Sequence, residues 1–368
     1  MFINKIKLQN FRCFQDREFD FESNFVIIEG HNGSGKTSLL EAIHYCCYLR
    51  SFRTRLNKEL VDFDKDHFFL QTNFSEKDGN NNQIQIGFSG QDGKLVKFNQ
   101  SQIVSYKDII SRYRIISVTE EDLQLIGGAP EIRRSFLDQS LFLLDSNFVL
   151  NLRKYKQILE QRNSFLVKNS ERRIDSNLEK ELFTWTKQLW EQGDLIRKAR
   201  ISFLQEVEKE TNKLLKKYFS DLNEITVKLK YQAKNINVLH DFEKFWEKYL
   251  TEEMSEKELR WRRSLFGIHI DDFTISFQNK KARNFASRGQ QKLVLFLLKI
   301  VQLQKLQKEG EPGCLLLDDF LTDFDDQRMS QVLSLLKDLQ CQIFLTCPLK
   351  SFIVSKLSKA VDLQVLSL

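Results

Sequence analysis

The sequence is poor in residues that break or pin a chain. Its 3 prolines (Pro130, Pro312 and Pro348) and 14 glycines are spread over 368 residues, which leaves no proline-rich or glycine-serine linker and no short repeat. No apolar run approaches the ~20 residues that a membrane helix needs. The richest, Leu293 to Val301, is broken by Lys299. Met1 to Phe14 mixes polar and apolar residues and has no signal-peptide core, so a soluble, unexported, cytoplasmic protein is expected. The six cysteines (Cys13, Cys46, Cys47, Cys314, Cys341 and Cys347) form no C-x-x-C pair. The five histidines (His31, His44, His67, His240 and His269) form no H-E-x-x-H. Reduced thiols are the expectation, and a zinc site gets little support.

What is present is a globular balance, 41% hydrophobic and 29% charged, enough to build a core. The length suits two domains, or one domain with a large insertion. Net charge is +6, and residues 151 to 230 carry an excess of the same size, 18 Lys/Arg against 12 Asp/Glu. Such a segment suits a polyanionic partner. On charge alone, a solvated helical face is the more frequent cause.

The texture of the chain changes twice. Phe2, Ile6 and Leu8 alternate with Lys5, Lys7 and Gln9 as in a strand, and Ile3 and Asn4 interrupt the alternation. Asn24 to Glu29 is a short apolar run that ends in a glycine-rich turn. Ser38 to Leu49 has helical spacing. Residues 65 to 106, with alternation in Gln83 to Phe88, read as an antiparallel β layer. From about Glu131 to Glu256 glycine is almost absent and leucines recur at three and four. Phe148 to Val167 and Leu182 to Phe219 are expected to be long helices. The α/β texture returns near Ser264 and contains two strand-like runs, Cys314 to Leu317 and Gln342 to Leu345. The expected organisation is an α/β head of residues 1–130 and 264–368, with a mixed sheet and an antiparallel layer, split by an inserted helical lobe of residues 131–263.

Gly30-His31-Asn32-Gly33-Ser34-Gly35-Lys36-Thr37 fits G-x-x-x-x-G-K-[ST] between a strand and a helix. Glycines let backbone N–H groups turn inward around phosphate oxygens, and the helix adds the positive end of its dipole. Lys36 is a cation for the β- and γ-phosphates, and Thr37 a hydroxyl for Mg²⁺. These residues and Ser38, which follows them, are the candidate ATP contacts. Leu315-Leu316-Leu317-Asp318-Asp319 suits a buried strand that meets the ligand at its carboxyl end. Asp318 is expected to hold Mg²⁺ through water, and Asp319 to orient or deprotonate the attacking water. Ser287-Arg288-Gly289-Gln290 opens an apolar helix and offers a second anion site. One nucleotide does not need two such helix ends. A head-to-tail ATP sandwich does, with Ser287, Gly289 and Gln290 of one copy closing on the γ-phosphate held by another.

With these motifs in this order, the chain resembles the ABC/SMC-type ATPase heads and, among them, the RecF family of bacterial recombinational-repair proteins. Leu8-Gln9-Asn10-Phe11-Arg12 is similar to the family's opening L-x-N-F-R, which implies that Arg12 approaches the adenine side of ATP. Ser51-Phe52-Arg53-Thr54, Gly128-Ala129-Pro130 through Arg133-Arg134-Ser135-Phe136-Leu137-Asp138, Tyr155, Leu159 to Asn163, and Trp185, Gln188 and Gly193 resemble further family segments. Gly267-Ile268-His269-Ile270-Asp271-Asp272 stands where the family has G-P-H-R-D-D. Arg288 replaces a common glutamine, Lys292 a common arginine and Glu120 a usual proline. After Leu345, Thr346 stands where transporters carry a histidine.

The resemblance implies a weak, DNA-stimulated ATPase that uses Mg²⁺ and forms a homodimer with ATP. It implies action at gapped DNA or single-/double-strand junctions, with RecR and RecO, to help load RecA in the nucleoid. Arg153, Lys154, Arg162, Arg172, Arg173, Lys213, Lys216 and Lys217 are candidate DNA phosphate contacts by charge. Competing readings are an SMC-like ATP-gated DNA clamp and a transporter-type motor. A long coiled-coil tether would need far more heptad residues than the insertion holds. A fused nuclease would need a domain that the 49 residues after Asp319 cannot supply.

Overall fold

Alternation over Phe2–Phe11 produces strand β1, with Ile6 and Leu8 buried and Lys5 and Lys7 on the wetter face. The interruption at Ile3 and Asn4 is a register shift in the ladder to β4 (His67–Ser75), between Ile3 and Lys5. The shift gives the core position to Ile3 and leaves Phe2 half-buried. In this computed structural model residues 1–76, 79–103, 106–222, 225–235, 241–308, 313–349, 354 and 362–368 are described. With β2 (Phe14–Asp20), β5 (Asn81–Ser89), β6 (Gly93–Phe98) and β7 (Ser101–Gln102), β1 and β4 form an antiparallel sheet ordered β2-β1-β4-β5-β6-β7.

A second sheet carries the motifs. It comprises β3 (Phe25–Glu29), β8 (Ile115–Val118), β12 (Cys314–Leu317), β13 (Gln342–Cys347) and β14 (Leu363–Ser367), ordered β14-β3-β13-β12-β8. Every pairing in it is parallel. All residues of β12 and β13 are buried, as strands covered on both faces require. Because β13 lies between β3 and β12, its carboxyl end separates the glycine-rich turn from the paired acids.

The chain divides into two compact units. The first comprises Met1–Leu123, Leu214–Asp221 and Arg288–Leu368, the second Gln124–Lys213 and Leu222–Ser287. The long helices of the second run over Ser146–Lys168 and Ser176–Tyr218, the latter 43 residues, or about 65 Å. Its last turn, from Leu214, belongs to the first unit. The second unit also holds a three-stranded sheet of β9 (Val227–Gln232), β10 (Asp272–Phe277) and β11 (Lys280–Lys281). The pairing of β10 with β9 keeps residues 264–287 in this unit, and the chain returns to the first at Arg288 rather than near Ser264.

The helical core of the second unit is rich in aromatic residues, among them Tyr155, Trp190, Phe242, Phe245, Tyr249 and Phe266. Gly267 has φ +119, and a Cβ there would run into the Tyr155 hydroxyl, which is bonded to His269 Nδ1 at 2.8 Å. Ile268 is buried in this core.

Candidate nucleotide site

The turn after β3 is shaped by Gly35, which caps the helix Lys36–Tyr48 in a left-handed conformation, φ +104. A Cβ at this position would also meet Cys13 Sγ and the Phe14 ring at 2.8 Å. His31, Asn32 and Gly33 form an exposed rim, while Lys36 and Ser38 are buried. The Lys36 ammonium folds back across the loop and donates to the carbonyls of Gly30 at 2.9 Å and His31 at 3.0 Å. Ser34 Oγ is buried and has no hydrogen-bond partner among the described residues.

Across from the loop, Thr37 Oγ1 donates to Asp318 Oδ1 at 2.9 Å. Thr346, near the end of β13, joins the two acids. Its hydroxyl accepts from the Asp319 N–H at 2.7 Å and lies 3.0 Å from Asp318 Oδ1 and 3.3 Å from Asp319 Oδ1. Burial pushes the Asp318 carboxyl up, the hydroxyls of Thr37 and Thr346 pull it down, and the neighbouring Asp319 charge adds to the rise. Asp319 has φ 45, a region that Asp tolerates better than most residues. The chain turns there, and Asp319 lines a cleft of about 810 Å³ together with Arg12, Asn32, Lys36, Thr37 and Phe63.

Arg12 reaches this cleft with its charge already engaged. Its guanidinium donates to both oxygens of Glu41 at 2.8 Å and to the Glu59 carbonyl at 2.6 Å. Glu41 is fully buried, accepts a third bond from Ser51 Oγ, and lies 3.7 Å from Arg53. Two motifs far apart in the chain thus meet on one carboxylate. Glu41 and Thr346 were not among the candidate residues. The sequence signal for Glu41 is an acid amid the apolar positions of the helix; that for Thr346 is a hydroxyl at the end of an apolar strand, where transporters carry a histidine.

Ser287 is exposed at the mouth of the helix Arg288–Lys308, and space is open around Gly289. Gly289 and Gln290 do not line the cleft of their own chain. The unusual residues of this region converge. The Glu120 carboxylate binds Arg288 and, at 2.7 Å, the buried Lys292.

This donor set fits a nucleoside triphosphate with a divalent cation. Ser34 offers an unused hydroxyl, Lys36 a cation on the loop's inner side, and Thr37 and Asp318 two adjacent oxygens. Among the described residues no three His, Cys, Asp or Glu side chains gather to hold a metal. A cation between Thr37 and Asp318 would therefore complete its shell with phosphate oxygens and water.

A family model for an AAA domain matches residues 5–311. The DNA replication and repair protein RecF of Clostridium perfringens is 30% identical over 350 residues, covering 94% of this chain and 93% of that protein. That of Ligilactobacillus salivarius is 31% identical over 355 residues, covering 95% and 91%. The chain belongs to the RecF family. A solved RecF with ATP, described as the recombination mediator of the RecFOR pathway, superposes with TM-score 0.79 at 28% identity, covering 95% of this chain and 93% of that one. An Smc head bound to a domain of ScpA shares the fold at TM-score 0.55 and 13% identity, covering 96% and 91%. The matched AAA domain and these two superpositions show an ATPase domain of ABC/SMC-head fold. Among the described residues no helix is long and apolar enough to cross a membrane.

The candidate DNA contacts of the helices differ in burial and pairing. Arg162 does not reach the surface: it is fully buried, 2.5 Å from Glu258 and bonded to Ser264, Thr186 and Tyr249. Arg172 lies 3.4 Å from Asp175, Lys213 2.8 Å from Glu210 and Lys217 2.9 Å from Asp338. Arg153, Lys154, Arg173 and Lys216 are exposed.

Proposed function

We propose that the chain is an ATP-dependent, dimerising DNA-repair ATPase that acts at single-strand gaps or single-/double-strand junctions. The observation that carries this reading is the Thr37–Asp318–Thr346–Asp319 constellation facing the Lys36 loop. Gly30 to Ser38 hold the triphosphate, and Lys36 exchanges its loop carbonyls for phosphate oxygens. Thr37 and Asp318 hold Mg²⁺, which when bound supplies charge to the β- and γ-phosphates. Asp319, turned into the cleft, orients water for attack and accepts its proton, giving ADP and phosphate. A carboxylate one methylene shorter than glutamate reaches less far, in keeping with slow, DNA-stimulated turnover. Arg12 borders the adenine end.

The exposed Ser287 and the half-buried Gly289 and Gln290 of a second copy close on the γ-phosphate, so ATP drives homodimer formation. Kinship with DNA replication and repair proteins, and with a recombination mediator of the RecFOR pathway, supports partnership with RecR and RecO and, through them, help in loading RecA in the nucleoid.

Light scattering with ATP, ADP or no nucleotide, each with and without gapped DNA, tests the reading. A dimer is expected with ATP alone, and turnover is expected to rise with gapped DNA. A monomer under every condition overturns it.

A further inference from the structure

The strands β9, β10 and β11 present two unlike faces. Val227, Leu229, Phe273, Ile275 and Phe277 are buried on one. Period two places Lys228 and Lys230 on the other, beside Thr274 and Ser276 of β10. The register sets Ser276 opposite both Lys228 and Lys281, and Thr274 opposite Lys230. Cross-strand neighbours stand about 5 Å apart, so three ammonium groups alternate with two hydroxyls on one small plane. All three lysines are exposed.

Among the described residues none of these lysines has a carboxylate partner. The one acid in the outward row, Asp272, is held by Arg133 at 2.7 Å. Lys280 and Arg283, both exposed, extend the positive charge beyond β11.

We propose that this face is a docking surface for the sugar-phosphate backbone of double-stranded DNA. The inference rests on the reading that the chain acts on DNA and adds the surface that meets it. Lysine ammonium groups serve phosphates as point charges, and Thr and Ser hydroxyls are common phosphate donors. The i, i+2 spacing of Lys228 and Lys230, about 6.8 Å, is twice the ~3.4 Å axial spacing of phosphates on one strand. The outward row carries no aromatic ring on which an unpaired base could stack, which favours duplex over single strand. Lys281 precedes Ser287 by six residues, so DNA held here bears on the segment that leads into the second anion site.

The test uses the full chain carrying Lys228→Gln, Lys230→Gln and Lys281→Gln together, with Lys→Arg at the same sites as control. Binding of a labelled duplex is followed by anisotropy from ~50 to ~200 mM salt. The glutamine variant is expected to bind roughly tenfold more weakly or worse at ~50 mM and to lose about 2.7 from the slope of log K against log salt, near 0.9 per contact. The arginine variant should keep both. Unchanged binding of a fluorescent ATP analogue shows that the fold is intact. If the wild type binds duplex and the glutamine variant matches it in affinity and slope, this surface is overturned while the proposed function stands. Aggregation of that variant with unchanged DNA affinity also overturns it, because the lysines would then only guard an open sheet edge. A wild type that binds no DNA overturns both.

Discussion

Glu120 Oε2 stands 2.7 Å from Lys292 Nζ, and the same carboxylate also binds Arg288. Two cations in the first turns of a helix oppose its dipole, and one acid offsets both. Glu120, Arg288 and Lys292 are therefore one compensated cluster. Glu120→Gln takes the carboxylate charge away from the buried Lys292 and is expected to cost about 1–2 kcal/mol. Arg288→Ala, at an exposed position, should cost no more than ~1 kcal/mol. Urea unfolding of the two variants measures the difference; equal losses would refute the assignment.

Glu41 carries the largest expected single loss. It is fully buried and neutralises Arg12 while accepting from Ser51. Glu41→Ala leaves a partly buried guanidinium without its carboxylate and should lower stability by about 3–5 kcal/mol. Glu41→Gln retains volume but loses the charge, and should fall between. Denaturant midpoints test the order, and a neutral Glu41→Ala would contradict it.

Local signals were legible in the sequence. The glycine-rich turn, the paired acids, the serine-led helix and the two long helices each depend on spacing along one stretch of chain. What stayed hidden depends on partners brought from afar. Thr346 joins the acids only because β13 lies between β3 and β12. Arg162 sat in a basic helix and read as solvent-facing, yet its carboxylate partner Glu258 lies 96 residues on. The strands β8 and β14 are short and draw their stability from parallel neighbours rather than from a pattern of their own. The β9–β10 pairing was masked by the charged sequence between its halves.

Two histidines make stability fall in acid. Burial pushes His44 down to about 3 and His269 down to about 4. In the native state His269 accepts from the Tyr155 hydroxyl and stays neutral. The unfolded chain protonates near pH 6.5, so it binds more protons than the native state below that value, and stability drops as pH falls from 6.5 towards 4 for His269 and towards 3 for His44. His269→Asn, which keeps an acceptor for Tyr155, should flatten the decline between pH 6.5 and 4. An unaltered pH slope in thermal unfolding would rule this out.

Lys36→Ala removes the ammonium that donates to the loop carbonyls of Gly30 and His31. ATP affinity is expected to fall at least tenfold, about 1.4 kcal/mol or more, with little change in unfolding midpoint without nucleotide. Titration with a fluorescent ATP analogue reads the effect. Unchanged affinity would separate this loop from nucleotide binding.

Asp319→Asn isolates the acid that the chain turn aims into the cleft. The amide keeps the size of the carboxylate and, through its oxygen, the contact with the Thr346 hydroxyl, but it cannot accept a proton at neutral pH. Binding should therefore survive while hydrolysis falls by about 100-fold or more. If ATP is what holds two copies together, the variant should accumulate as a dimer with ATP, whereas the wild type should return to monomer as ATP is consumed. Light scattering followed over time distinguishes them. A variant that turns over ATP at the wild-type rate would remove Asp319 from the reaction, and one that binds ATP yet stays monomeric would detach dimerisation from the nucleotide.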